Sequence, residues 1–466
     1  MPKSGPELVR VLNFSSTLAL VINSIVGTGV FFKAAVMTQW LQSPVLVLLA
    51  WLVAGAFSLA GALTYAELAC LFPRAGGEYV YLKEGYGSAV AFLCGWMRLI
   101  ISSAGVSALA VGFTTFLAVL VPFPSSWMSH HFVVSGHAVH WEFGTKQVVA
   151  VAVILSCGAL NCFGVVFGGH LQRIVGAVKI LGIVLLAAGA LLFGRIGHPF
   201  TATSVPPGVH LQAFGAAIIA ALWACDGWAY MPMMASEVQK PERTIPRALF
   251  AGMAIVLLVY LLVNASYFVA LSPGQVAASS STRYPNALPV AAKAAEAFLG
   301  SHGTALVSVL VMLSAVGALN AVILTTARIP YAMARDRLFF ATFGVVSPGA
   351  HVPVFSVVII SLWSAILAIS GTFDQLTNMY VFGLWLFYAL GGGAVLVLRW
   401  RRPSALRPYR TIGYPFVPLV FIGAALWLVL DAMETSPIES IAGFVLILIG
   451  LPLYVFWRSR SVDTPL

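Results

Sequence analysis

What most constrains this chain is the recurrence of apolar runs long enough to cross about 30 Å of hydrocarbon at 1.5 Å of rise per residue. Twelve such runs occur, beginning near residues 13, 44, 88, 147, 174, 211, 248, 303, 352, 374, 414 and 438. A mean hydropathy of +0.96 with only 9% charged residues lies far outside the soluble globular range. The chain therefore reads as an all-α polytopic membrane protein with 12 transmembrane helices, surrounded by membrane lipid. Inside lipid every backbone N–H and C=O needs a partner within the protein, so a helix is interrupted only where it lines a cavity or binds something. Interruptions within the spans are thus the informative positions.

A net charge of +10 would by itself suit an anionic partner such as nucleic acid. The basic residues instead follow loop parity, which argues for a membrane and no nucleic acid. Eighteen of the 25 Lys and Arg fall on the side of the N-terminus, whereas Lys33, Lys146, Arg195, Arg283 and Lys293 fall on the other and Arg98 and Lys179 lie within spans. This parity places both termini in the cytoplasm of a multi-pass protein of the cell (inner) membrane. Met1 to Arg10 is too short and polar for a cleaved signal peptide, so the first span is expected to remain. Cys70, Cys94, Cys157, Cys162 and Cys225 lie in or at the ends of spans, without metal-ligand spacing or a disulfide framework.

The first interruption is Gly27-Thr28-Gly29, in the middle of the apolar stretch Val21 to Phe32. Two glycines weaken the helix and remove Cβ bulk, which permits either a close helix crossing or an unwound segment whose amides meet a ligand. The second is Cys225-Asp226-Gly227, followed by Pro232, in the sixth span. Asp226 is the only acidic residue deep in a span; it either pairs structurally with Lys179 or a backbone amide, or selects substrate. Lys179 itself costs about 2.5–3.5 kcal/mol at a span centre, which calls for a partner or a task in the bundle interior. Snorkelling is the alternative, although Lys179 lies about 9 Å deeper than Arg173 by helical rise.

The two interruptions fall in the first span of successive five-span blocks, 11–200 and 205–400, with two further spans over 413–458. Five is odd, so the second block inserts upside down relative to the first. This is the sign of an inverted-repeat secondary transporter with its site at the bilayer midplane. Freed amides at Gly27, Thr28 and Gly29, at the positive end of a half-helix, suit a carboxylate, and carbonyls near Trp223 to Asp226 suit an ammonium. A ligand carrying both groups on one carbon is an α-amino acid.

Other polar segments are read more modestly. Tyr65 to Tyr79, with Glu67, Pro73-Arg74 and Gly76-Gly77-Glu78, forms either an ordered cytoplasmic turn, which its Pro and Gly pairs favour, or a direct substrate contact. His130, His131, His137 and His140 beside Trp127 and Trp141 could bind a metal or sense pH, but they lack regular ligand spacing. No His-Glu-x-x-His, paired intramembrane aspartates or deep Ser-His pair points to an enzyme, and no cofactor is implied.

Several stretches together resemble the amino acid-polyamine-organocation (APC) superfamily, in its L-type amino acid transporter branch. They are Gly27-Thr28-Gly29, Tyr65-Ala-Glu67 with Pro73 to Tyr79, Asp226-Gly227-Trp228 with Glu237 to Arg247, Thr325-Thr326-Ala-Arg328 with Ala334-Arg335-Asp336, and Leu398 to Pro403. The resemblance implies a LeuT-like 5+5 inverted repeat with broken helices 1 and 6, and sodium-independent amino acid transport, commonly by exchange. It also implies that Val26 to Gly29 hold the substrate carboxylate, that the carbonyls of Ile25, Trp223 and Asp226 hold the amine, and that Trp223 gates the site. Lys179 matches a fifth-span lysine that stands in for a sodium ion, with Ser314 the candidate partner on span eight. Val121 to Gln147 contains no cysteine, so no disulfide-linked heavy chain is expected. Aspartate at 226 is shared by a dibasic-amino-acid carrier and some bacterial neutral carriers, which leaves neutral and cationic L-amino acids both open. Proton-coupled uptake of amino acids or polyamines, with Lys179 changing protonation, and a non-transporting amino acid sensor are the alternatives.

Overall fold

Apolar patterning marks the depth of lipid rather than the ends of helices, and the architecture shows the difference. The computed structural model describes residues 7–123, 126–134, 137–194, 211–281, 283–284, 287–370 and 373–462. Among them, nine helices are long and apolar enough to cross a membrane, and Phe14–Ile25, Thr145–Asn161 and Val354–Ser370 are shorter apolar helices. Most helices begin close to the expected starts. The fifth and seventh begin earlier, at Val165 and Pro241 rather than near 174 and 248. Both extend through polar flanks: Gly164 with φ of 124° precedes one, and Lys240-Pro241 starts the other. The expected boundary between the two five-span blocks, at residues 200–205, lies outside the described residues.

The first span is divided. Asn13 caps it by accepting from the Ser16 amide at 3.0 Å, and the α-helix runs only over Phe14–Ile25. A single 3₁₀ turn, Gly29–Phe31, and a second helix, Lys33–Leu41, follow. The sixth is divided in the same way into Leu211–Ala224 and a 3₁₀ segment, Trp228–Glu237, which contains Pro232. Phe14–Ile25 packs against Pro241–Ala270, Val165–Phe193, Ser301–Thr326 and Trp228–Glu237, so the first break is wrapped by protein. That is the condition under which unpaired backbone is tolerated at membrane depth.

One correction concerns the all-α expectation. Met128–Val134 and His137–Phe143 form an antiparallel hairpin, with Met128 opposite Phe143. Short runs with β-branched and aromatic residues flanking Ser135-Gly136 carry a hairpin signal rather than a helical one. The Trp141 indole donates to the Ile369 carbonyl at 2.9 Å and holds the hairpin on the helix Val354–Ser370.

At the end of the bundle that carries Leu12 and Val238, which form a backbone bridge, charged residues are paired in depth. Arg98 with Glu78 and Arg328 with Glu237 are ion pairs with side chains excluded from solvent, and Glu67 receives Arg399 and Arg407. The Tyr65 hydroxyl, on the helix Pro44–Leu71, donates to Glu78, which begins the next helix, so the chain between them makes an ordered turn over residues 72–77. Outside the spans, burial pushes the Glu84 carboxyl up, but hydrogen bonds from Arg74 and Arg402 outweigh it and leave the group below its ordinary range.

Candidate functional site

The two interruptions meet. Gly227 has φ of 119°, and a Cβ there would collide with the Ser24 carbonyl oxygen and come within 2.9 Å of the Ile25 amide nitrogen. Glycine is therefore required on two counts: the left-handed backbone and the direct contact between the broken segments. The Tyr260 hydroxyl lies 3.3 Å from the Ile25 carbonyl and 3.1 Å from the Ala224 carbonyl, bridging the same two segments from Pro241–Ala270.

Beside this contact lies a narrow cavity of about 50 Å³, well below the roughly 300–1,000 Å³ of an open small-molecule site. Ser24, Ile25, Gly27, Thr28 and Gly29 line one side, and Trp223, Ala224, Asp226 and Tyr230 another. Gly105, Ala108 and Leu109 of Ser102–Leu120, Ala318 and Val322 of Ser301–Thr326, and Tyr380 complete it. Of the residues singled out from sequence, Val26, Cys225 and Gly227 lie behind this lining rather than in it. The Gly27 amide is occupied, donating to the Ile25 carbonyl at 2.9 Å, whereas the Thr28 and Gly29 amides donate to no backbone carbonyl among the described residues. Adjacent backbone donors left without a carbonyl partner beside a cavity are the kind of group that suits an anion.

Lys179 does not snorkel. It is fully buried, and its Nζ donates to the Val26 carbonyl at 2.7 Å and the Ser314 carbonyl at 3.4 Å. The Ser314 hydroxyl lies 3.0 Å from both the Val26 and Gly27 carbonyls. Lys179 and Ser314 thus converge on the backbone exposed by the first break. A second strap joins the same elements: the Asn23 side-chain amide donates to the Gln172 carbonyl at 2.6 Å.

Lys179, one of the partners considered for Asp226 from sequence, does not hold it; hydroxyls chiefly do. Its carboxylate accepts from the Tyr380 hydroxyl and, at 2.9 Å, from the Tyr388 hydroxyl; the Tyr230 and Tyr380 hydroxyls are 2.9 Å apart. The Arg98 guanidinium stands 5.4 Å from the Tyr230 ring centre and 5.3 Å from that of Tyr388. These tyrosines were not anticipated. A tyrosine within an apolar run reads as packing, and only a hydroxyl at membrane depth hinted that a polar partner was needed. Asp226, Tyr230 and Tyr380 all line the cavity, so the carboxylate and its hydroxyl partners form one polar wall of it.

Among the described residues no group of three His, Cys, Asp or Glu could hold a metal ion. His130 stacks on Trp141 at 6.0 Å between ring centres, while the side chains of His131, His137 and His140 lie outside the described residues.

With this geometry in hand, similarity to known proteins is informative. Residues 12–450 match the family described as amino acid permease. The chain is 31% identical over 459 residues to the serine/threonine exchanger SteT of Bacillus subtilis (strain 168), covering 98% of each chain. It is 27% identical to the cystine/glutamate transporter of Homo sapiens, over 97% of this chain and 87% of that one. It is 26% identical to the b(0,+)-type amino acid transporter 1 of Mus musculus, over 96% of this chain and 88% of that one.

Proposed function

The chain belongs to the amino acid permease family, and from that premise we propose that it exchanges L-amino acids across the cell membrane without sodium, by alternating access. The observation that carries this reading is the convergence of two broken segments on one cavity, with free Thr28 and Gly29 amides on one side and the Asp226 carboxylate on the other. An amino acid carboxylate fits the amides at the half-helix end, and its ammonium fits the carboxylate and the carbonyls near it. Lys179 on the Val26 carbonyl supplies the positive charge a coupling cation would otherwise bring. The fold in this reading is a LeuT-like 5+5 inverted repeat of twelve spans. The arginine-rich end, with both termini, faces the cytoplasm, and the protein acts without a disulfide-linked heavy chain. The buried Arg98–Glu78 and Arg328–Glu237 pairs hold that end shut.

A panel of twenty unlabelled amino acids competing against one labelled substrate, with purified protein in proteoliposomes, tests the reading. Uptake that needs amino acid on the far side, ignores sodium and is flat in pH supports exchange. Uptake that follows an imposed proton gradient without counter-substrate replaces exchange by proton coupling through Lys179, a buried amine beside the site. Binding without movement of any amino acid overturns transport in favour of a sensor.

A further inference from the structure

Trp223 borders two spaces. It lines the central cavity and also a recess at the opposite end from the arginine-rich face, whose walls include Lys33, Trp40 and Asp431. Its ring lies directly on the first break, since a Cβ on Gly29 would meet Trp223 Cζ3 at 2.7 Å. The indole is the partition between recess and cavity. Lys33 is the first residue of the helix that follows the break, Lys33–Leu41, and its ammonium stands 4.8 Å over the Trp223 ring centre. A cation over an indole face is attracted by the ring quadrupole. The contact also joins the outer halves of the two broken spans, so that neither half can tilt away without separating ammonium from indole.

We propose that Lys33 is a positioning residue that latches Trp223 closed over the cavity; this rests on the transport reading above. Opening toward the recess requires the ammonium to leave the ring. A cation–π contact of this kind shifts the closed-to-open ratio by about 2-fold where exposed and up to about 30-fold where desolvated. The latch acts on one side only, because the far end is closed by the separate Arg98–Glu78 and Arg328–Glu237 pairs. Lys33 also bears on the recess as a plain charge that could attract a substrate carboxylate. The two roles differ in their dependence on Trp223.

The test uses the full chain in proteoliposomes with Lys33→Met, Lys33→Arg, Trp223→Leu and the Lys33→Met/Trp223→Leu double variant. Exchange is measured from each face, and a cysteine introduced by Ala318→Cys in the cavity wall reports access to a membrane-impermeant thiol reagent from the recess side. The expected result is a 2- to 30-fold fall in apparent KM from the recess face with Lys33→Met, an unchanged KM from the other face, and faster modification at position 318, because a larger open population binds substrate more readily. Lys33→Arg should restore wild-type values, and Lys33→Met should add nothing in the Trp223→Leu background. An equal change from both faces, or a full Lys33→Met effect without Trp223, overturns the latch. If the unaltered protein moves no amino acid, the exchange reading fails, and the modification rate alone then judges the latch; transport with an unchanged modification rate rejects the latch alone.

Discussion

Replacing Lys179 by methionine keeps most of the unbranched side chain and removes its charge and donors. The bond from Nζ to the Val26 carbonyl is 2.7 Å, and a charge-assisted bond of this kind contributes about 1.5–3 kcal/mol. The 3.4 Å contact to the Ser314 carbonyl is too long to add much. Val26 is not orphaned by the change, because the Ser314 hydroxyl remains 3.0 Å from its carbonyl. Removing the ammonium also removes its desolvation penalty, several kcal/mol in a buried setting. The two effects oppose each other, so folded stability should change by less than about 2 kcal/mol and the Tm by a few degrees at most. What is lost is the tie between the fifth span and the broken first span during transport. If that tie is made in one conformation and not the other, its loss corresponds to about 10- to 150-fold in turnover. Exchange of labelled amino acid in proteoliposomes, with binding measured separately, should show kcat falling at least tenfold while substrate affinity stays within about threefold of wild type. Turnover within twofold of wild type in folded Lys179→Met protein would refute the reasoning.

Three further outcomes follow from the geometry. Gly227→Ala combines about 1–3 kcal/mol of backbone strain at φ 119° with a clash against Ser24 backbone that no rotamer relieves; thermal unfolding in detergent should come several degrees lower and substrate should no longer protect against it, and a wild-type melting curve with intact protection would contradict the contact between breaks. Asp226→Asn keeps the shape facing Tyr380 and Tyr388 but removes the charge, so competition by lysine, arginine and ornithine should weaken about tenfold more than that by alanine and leucine; equal losses assign the carboxylate a structural role. Arg328→Met leaves Glu237 charged and enclosed, costing about 3–5 kcal/mol. Yield of folded protein should drop sharply and recover in the Glu237→Gln/Arg328→Met pair, as followed by size-exclusion profile.

Much of the site was legible because membrane depth makes local rule-breaking costly. Glycines 27 and 29, Asp226 and Lys179 all violate what a lipid-embedded helix prefers, so each pointed to a cavity or a partner. Which partner was less legible. Ser314 was named with Lys179, yet Lys179 meets its backbone carbonyl while its hydroxyl turns to Val26 and Gly27. For Asp226 the sequence offers Lys179 or a backbone amide; in place of Lys179 stand the hydroxyls of Tyr380 and Tyr388, more than 150 residues away in sequence. In the sequence Arg98 lies within a span far from any acid that would obviously pair with it, and the turn over residues 72–77 brings Glu78 to it.

The sequence by itself determined that the chain is a multi-pass membrane protein and where two of its helices break. These follow from hydropathy and backbone propensity, which are local. Only the tertiary structure decided that the Gly27 amide is occupied while those of Thr28 and Gly29 are free, that Lys179 caps the Val26 carbonyl, and that Lys33 stands over Trp223. Those depend on how helices distant in the chain rotate and lean against one another, and an apolar run constrains that rotation only weakly when nearly every face of it is hydrophobic.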